Sequence, residues 1–160
     1  MKKLIPVLFV FVLMLVSQNL VFSQESFTHP EAKVTITVPG GWVYEINGNS
    51  LTMYPQEKEL AIGFNIIDAT EMEAAAQKAK NDLKIYFPDA KFDTPTESNI
   101  NGMNAYTVAG ATPGGTNFSY TLLVTPVSKI MEIGYVGSKE AVGKYLSDIA
   151  LIITGIKPAE

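Results

Sequence analysis

Hydrophobic and polar positions alternate most clearly in residues 34–38, where three apolar side chains are separated by two threonines. This period of two predicts a half-buried strand. The strand is expected to end at Pro39, which lacks a backbone donor, and the Gly40-Gly41 pair that follows favours a turn. Trp42, the only tryptophan, comes directly afterwards. We expect its large side chain to close one end of a core.

Period-two patterns recur along the chain and predict further strands at residues 43–46, 50–54, 59–67, 91–100, 103–111, 117–125 and 129–136. Two Asn-Gly pairs, at residues 47–48 and 101–102, lie between such segments. Asn-Gly predicts tight hairpins because both residues tolerate positive φ.

Two other segments repeat apolar residues every three or four positions and predict amphipathic helices. The first covers residues 70–87, with Thr70 and Glu73 at capping-box spacing. The second follows Ser138 as its N-cap, and Gly155 is expected to take the left-handed position after its last turn. The predicted fold class is α+β, with a meandering antiparallel sheet packed by two main helices in one domain.

The N-terminus predicts a secretory signal peptide over residues 1–23. Two lysines precede an apolar run of about 13 residues, and small residues follow it. We expect cleavage between Ser23 and Gln24, which makes residues 24–160 the mature domain. An uncleaved membrane anchor is the alternative, but the run is shorter than the ~20 residues of a spanning helix. The prediction is an exported protein, periplasmic or extracellular, that meets the membrane only through this segment during export.

Composition narrows the function classes. The chain has no cysteine, which excludes disulfides, thiolate metal sites, cysteine nucleophiles and a lipid-anchored lipoprotein. Without the signal peptide it has ten lysines, no arginine and 16 acidic residues, a net charge of −6. This balance repels nucleic acid, and no guanidinium is present to grip phosphate. We expect a monomer.

Candidates for chemistry are weak. His29 is the only histidine, so it cannot assemble a zinc site, and no nucleophile elbow accompanies it. The glycine-rich residues 110–115 precede a strand rather than a helix, which indicates a hairpin turn and not a phosphate loop. Asn117 begins a glycosylation sequon, which has meaning only in a eukaryotic secretory pathway.

Two acidic groups could serve a cation site or acid–base chemistry, but each has a simpler explanation. Carboxylates at the start of the first helix complement its dipole, and those of the polar loop and strand after it are expected to be solvated. The two groups are Asp68, Glu71 and Glu73, and Asp89, Asp93 and Glu97. We therefore predict no catalytic, cofactor or metal site.

A polar sheet face is the more useful prediction, because hydroxyl, amide and aromatic side chains alternate with the apolar set. This face is either simply solvated or a partner-binding surface with Tyr54 and Tyr106 as anchors. The rim near Trp42 and Tyr44 is the second candidate surface. The predicted face comprises Thr35, Thr37, Thr52, Tyr54, Asn65, Asn104, Tyr106, Ser119, Thr121 and Glu132.

The chain resembles the PsbP-like superfamily. The likeness rests on the lead Phe27-Thr28-His29-Pro30, the Pro39-Gly40-Gly41-Trp42 ending of the first predicted strand, the order of elements, and the close Ile156-Lys157-Pro158. It covers about residues 27–158. That superfamily includes a photosystem II extrinsic protein, a yeast import factor that binds the GTPase Ran, and exported bacterial proteins of unknown role, the last being the nearer comparison. The resemblance implies an α/β/α-type sandwich and an accessory or binding role without shared catalytic apparatus.

Three functions follow from these observations. The first is a non-enzymatic exported domain that contacts a protein partner in the cell envelope. The second is a carrier of a small molecule or lipid, with a pocket between the sheet and the helices; an apolar cavity there would favour it. The third is a hydrolase, for which the sequence offers neither a buried carboxyl pair nor an activated serine.

Overall fold

The computed structural model describes residues 25–160; the predicted signal peptide and its cleavage site lie outside them. Eleven strands and three helices follow one another in this part of the chain. The strands are β1 Glu25–His29, β2 Val34–Val38, β3 Trp42–Asn47, β4 Ser50–Pro55, β5 Leu60–Ile67, β6 Lys91–Phe92, β7 Thr96–Ile100, β8 Met103–Ala111, β9 Thr116–Val124, β10 Ile130–Ser138 and β11 Lys157–Pro158. The helices are α1 Met72–Tyr86, α2 Lys139–Lys144 and α3 Leu146–Thr154.

The strands form two antiparallel sheets. The large sheet has the order β3-β4-β5-β10-β9-β8-β6, and β7 also pairs with β8. The small sheet has the order β1-β2-β11. The α+β meander with packed helices is confirmed, and the small second sheet is a feature that the sequence analysis did not predict.

Two hydrophobic cores cover the two faces of the large sheet. The larger core joins one face to the small sheet and to α2 and α3, and Ile36, Phe64 and Ile152 are fully buried within it. The smaller core lies under α1, where Ala75 and Ala79 pack against the other face. The large sheet is therefore the middle layer of a sandwich, as an α/β/α-type arrangement requires.

Both predicted hairpins are present, with different turns. Asn101 and Gly102 both have positive φ (49° and 90°), as the sequence predicts. In the first hairpin Asn47 pairs with Ser50, and the two turn residues are Gly48, with φ of 61°, and Asn49. A positive φ at the first turn residue and not at the second is typical of a type II′ turn. Asn47 is therefore the last residue of β3 and not a turn residue.

Of the predicted helix details, the Ser138 cap is confirmed and three others are wrong. α1 begins after Glu71, whose side chain makes no capping hydrogen bond, so the capping box at Thr70 is absent. Ser138 does cap α2, accepting a 3.0 Å hydrogen bond from the Ala141 amide. The predicted second helix is two helices that meet at Tyr145, and Gly155 has right-handed angles (φ −81°) instead of left-handed ones.

Both ends of the domain are paired in the small sheet. The polar segment before β2, residues 25–33, which we call the polar lead, contains β1, and β1 pairs with β2 from Glu25↔Val38 to His29↔Val34. The closing Lys157 and Pro158 pair with the other edge of β2. Since β2 is the middle strand of the small sheet, both ends of the domain pair with this one strand.

Candidate functional site

The four aromatic residues predicted for the two candidate binding surfaces, Tyr54 with Tyr106 and Trp42 with Tyr44, have different environments. Trp42 is buried, packs edge-on to Tyr145 at 5.7 Å between ring centroids, and donates a 2.9 Å hydrogen bond to Asp148. It connects β3 to the start of α3. Its environment is that of a core residue, as expected of a side chain that closes one end of a core.

The three tyrosines occupy different surroundings. Tyr44 on β3 is 39% exposed, whereas Tyr54 on β4 is only 9% exposed and has the Lys58 ammonium 4.6 Å from its ring. A hydrogen bond to Glu45 raises the pKa of Tyr54. Tyr106 packs half-buried on the smaller core, at the other half of the sheet. Tyr44 is the most exposed of the four predicted aromatic residues.

The predicted polar face is also divided. Thr35 and Thr37 belong to the small sheet. Ser119 and Thr121 are buried toward the larger core, and the Thr121 hydroxyl lies 2.9 Å from that of Thr107. The side chains of β9 do alternate, with Phe118, Tyr120 and Leu122 on one face and Ser119 and Thr121 on the other. Both faces are covered, so a polar residue on this strand does not indicate contact with solvent.

The other candidates behave as structural residues. His29 is fully buried; its Nδ1 accepts from the Ala32 amide (3.1 Å), and its Nε2 lies 2.6 Å from the Asn49 carbonyl oxygen. All six carboxylates of the two acidic groups are exposed. Within residues 25–160 no group of three or more His, Asp or Glu side chains is placed to hold a metal ion. None of the helices formed by these residues is long and apolar enough to cross a membrane.

The feature best suited to binding is a groove of about 420 Å³ between α1 and the large sheet, lined almost entirely by apolar atoms. Leu83 and Tyr86 of α1 and Phe87 directly after the helix form one wall, and Gly63 and Gly134 lie in the floor. Two larger depressions, of about 510 and 570 Å³, have more polar linings. We call the groove of about 420 Å³ the α1 groove. Its volume is within the range of ligand pockets.

The sequence of α1 explains why the groove is open. Ala75 and Ala79 are small and bring the first half of the helix onto the sheet, where both are fully buried. Larger side chains follow in the second half, and Tyr86 remains 77% exposed. The predicted apolar stripe of α1 therefore continues past the point where the helix covers the sheet. The uncovered part of that stripe faces the groove.

Two ionisable groups line the α1 groove. Glu132 on β10 is half-buried, and burial raises the pKa of its carboxyl, with Asp82 adding to the increase and Lys78 opposing it. Burial also raises the pKa of Tyr120, which is 2% exposed, to about 12. At neutral pH Tyr120 is therefore an uncharged hydroxyl.

Comparison with solved structures identifies the fold. Cyanobacterial PsbP (CyanoP) from Synechocystis sp. PCC 6803 matches with a TM-score of 0.59 and 9% identity over 87% of this chain and 94% of its own. The chain has the PsbP-like fold. Mycobacterium tuberculosis LpqN, a protein involved in cell envelope biogenesis, matches with a TM-score of 0.57 and 13% identity over 86% of this chain and 91% of its own. The Saccharomyces cerevisiae Ran-binding protein Mog1p matches with a TM-score of 0.50 and 13% identity, covering 79% and 83%.

These likenesses establish the PsbP-like fold and leave the site to be argued from this chain's own residues. No protein-family model matches the chain, and no curated protein is significantly similar to it in sequence. The resemblance inferred from the Pro39–Trp42 segment is confirmed at the level of fold.

A pocket between the sheet and the helices is named from the sequence as the feature of a carrier, but the residues of the α1 groove of this PsbP-like domain are not identified there, although two signals are present in the sequence. Gly63 and Gly134 each interrupt an otherwise β-favouring run, and a glycine within a strand often marks a close approach of a ligand or another backbone. Glu132 was predicted as a member of a broad polar face. The structure places it instead beside Gly134 in the wall of an apolar groove.

Proposed function

We propose that this protein is a non-enzymatic, exported binding domain that takes up an apolar ligand in the α1 groove. The observation that carries the proposal is the lining, in which apolar side chains of α1 face a floor of small residues on the sheet. This favours the carrier hypothesis, for which an apolar cavity between sheet and helix was the discriminating feature.

A binding role also agrees with the fold and with the absence of a supported catalytic arrangement among residues 25–160. The solved relatives include a Ran-binding protein and a protein involved in cell envelope biogenesis. Both nitrogens of His29 are engaged with backbone groups, which leaves this histidine unsuited to activating a serine. Glu132 is half-buried, and Asp82, the carboxylate that helps to raise its pKa, is itself paired with the Lys78 ammonium at 2.7 Å, which favours a structural ion pair over acid–base work.

The test is binding of an environment-sensitive apolar dye, N-phenylnaphthylamine, to the mature chain of residues 24–160. We expect saturable fluorescence enhancement for the wild type and its loss in Gly134→Val, whose side chain fills the floor. Gly143→Ala is the matched control, because Gly143 is exposed on α2 with nothing within 4 Å of an added Cβ. Equal dye binding by all three proteins would contradict the proposal.

A second candidate function, contact with an envelope protein, is favoured by the free edge of the large sheet. Among residues 25–160, β3 pairs only with β4 in the large sheet, and three of its apolar side chains (Val43, Tyr44 and Ile46) are 39%, 39% and 50% exposed. Such an edge can accept a strand from a partner. A photo-crosslinking residue at position 44 should then capture one discrete protein in the envelope, while one at the exposed Ser98 should not. Identical crosslinking patterns from both positions would exclude this role for β3.

A further inference from the structure

The floor of the α1 groove contains two glycines that the fold does not require. Gly63 and Gly134 are direct register partners on β5 and β10. Neither has a positive φ, and a Cβ added to either would meet no atom closer than 3.6 Å. Alanine would therefore fit at both positions, and it would strengthen the strands, because glycine weakens a strand relative to alanine. The backbone geometry gives no reason for this pair of glycines. What the pair provides is a bare floor on which another molecule can lie close to the backbone.

This bare floor is part of a straight row across the strands. Thr52, Gly63, Gly134 and Tyr120 are successive register partners on β4, β5, β10 and β9. Three interstrand spacings give the row a length of about 14 Å. The buried ring of Tyr120 closes the end nearest α1, and Thr52 lies at the opposite end. The row therefore has the length and shape for an extended molecule rather than a compact one.

The width of the groove is set by the neighbouring rows. Ala61 and Val136 pair on one side of the glycines, and Asn65 and Glu132 pair on the other. Residues that share a face are two apart on a strand, so each row lies about 7 Å from the glycines. Hydrocarbon contacts form at about 4 Å, which leaves space for one aliphatic chain between the rows.

Glu132 gives the groove a polar contact point with unused hydrogen-bonding capacity. Among the described residues no hydrogen bond or ion pair reaches its carboxylate, and the nearby Lys78 ammonium pairs with Asp82 at 2.7 Å. Within residues 25–160 no side-chain polar atom is both buried and unpaired, so the Glu132 carboxylate is reached by solvent. A ligand that covers this carboxylate must supply a hydrogen-bond donor in place of water, because an apolar cover would leave the charge buried and unpaired. A ligand carboxylate or phosphate would instead add like charge beside it.

We propose that the α1 groove holds a single-chain amphiphile, with its aliphatic chain lying along the glycine row and a hydrogen-bond-donating head, hydroxyl or ammonium, on the Glu132 carboxylate. This inference rests on the proposed function and specifies its ligand class. The chain contributes burial of apolar surface, and the head contributes selectivity against anionic amphiphiles.

The test is competition between N-phenylnaphthylamine and three ten-carbon amphiphiles that differ only in the head, namely decylamine, decanol and decanoate. Decylamine and decanoate are used below their micelle concentrations, and decanol is used below its solubility limit. For the wild type we expect decylamine and decanol to displace the dye at concentrations about tenfold lower than decanoate, as expected for a hydrogen bond to a charged group. Comparison of decylamine with decanol distinguishes an ammonium from a hydroxyl as the preferred donor.

Two variants separate this inference from the proposed function. Glu132→Leu should still bind the dye and the three chains but should lose the discrimination between heads. Gly134→Ala, whose added methyl group the strand can accommodate, should weaken all three equally, and Gly143→Ala should change nothing. Equal displacement by the three heads in the wild type would overturn the ligand class and leave apolar binding intact. Failure of the wild type to bind dye or chain would overturn both.

Discussion

The indole Nε1 of Trp42 donates a 2.9 Å hydrogen bond to the Asp148 carboxylate, joining residues 106 positions apart in the chain. Trp42 begins the edge strand β3, and Asp148 lies in the first turn of α3. The bond therefore fixes the C-terminal helix to one end of the large sheet. Edge-on packing of the Trp42 ring against Tyr145 reinforces the same junction.

Asp148→Ala should destabilise the domain by about 1–3 kcal/mol, because it leaves the partly buried indole N–H without a partner. The free energy of unfolding is measured with urea, and Ser147→Ala, one position away on the exposed side of α3, is the control. A loss of the same size in both variants would show that the effect comes from the helix rather than from the hydrogen bond.

His29→Ala should destabilise the domain by about 2–4 kcal/mol. The substitution leaves a cavity at a fully buried position and removes the hydrogen-bond partners of the Ala32 amide and the Asn49 carbonyl. Thr28→Ala, next to it on β1 with an exposed side chain, should cost well under 1 kcal/mol. Urea unfolding of the two variants checks the difference. An equally small loss in the free energy of unfolding of both variants would show that the buried contacts of His29 do not stabilise the domain.

How far the sequence predicts this protein depends on whether the relevant contacts are local. Strand alternation, the hairpin at Asn101-Gly102 and the Ser138 cap are local, and all three are present. The pairing of the polar lead with β2 and the burial of His29 depend on tertiary partners that no local pattern encodes. The α1 groove is of the second kind, because it arises where the helix no longer covers the sheet. Only the glycines at positions 63 and 134 signal it in the sequence.

Gly110→Ala should be destabilising by about 1–3 kcal/mol, because an added Cβ would clash with the Lys91 carbonyl oxygen and the Phe118 ring. Gly143→Ala should be neutral or stabilising by at most about 1 kcal/mol, since that helical position has open space. Thermal unfolding of the pair tests whether glycine is required by packing at one site and not at the other. Equal effects of the two substitutions would contradict the packing of Phe118 over Gly110.

The mature protein should begin at Gln24 when the full chain is expressed in a host with a secretory pathway. The expectation rests on the small residues at positions 21 and 23 and on the apolar run before them. Intact-mass spectrometry of the exported protein gives the new N-terminus directly. Recovery of the uncleaved chain in the membrane fraction would support the anchor alternative.

The carboxyl of Glu132 should make stability fall as pH rises. Burial raises its pKa in the folded state above the ordinary value of 4.5, so the folded protein binds more protons than the unfolded chain. Unfolding then becomes easier as pH increases from about 4.5 through the higher folded pKa. Glu31 acts in the opposite direction, since its hydrogen bond to Lys129 lowers its pKa and that contribution is lost only below pH 4.5.

The Glu132→Gln variant should therefore be more stable than the wild type at neutral pH and approach it under acidic conditions. Urea unfolding midpoints across the pH range are the measurement. A constant difference at every pH would show that Glu132 stays ionised in the groove at no cost, and would remove the reason for its hydrogen bond to a ligand.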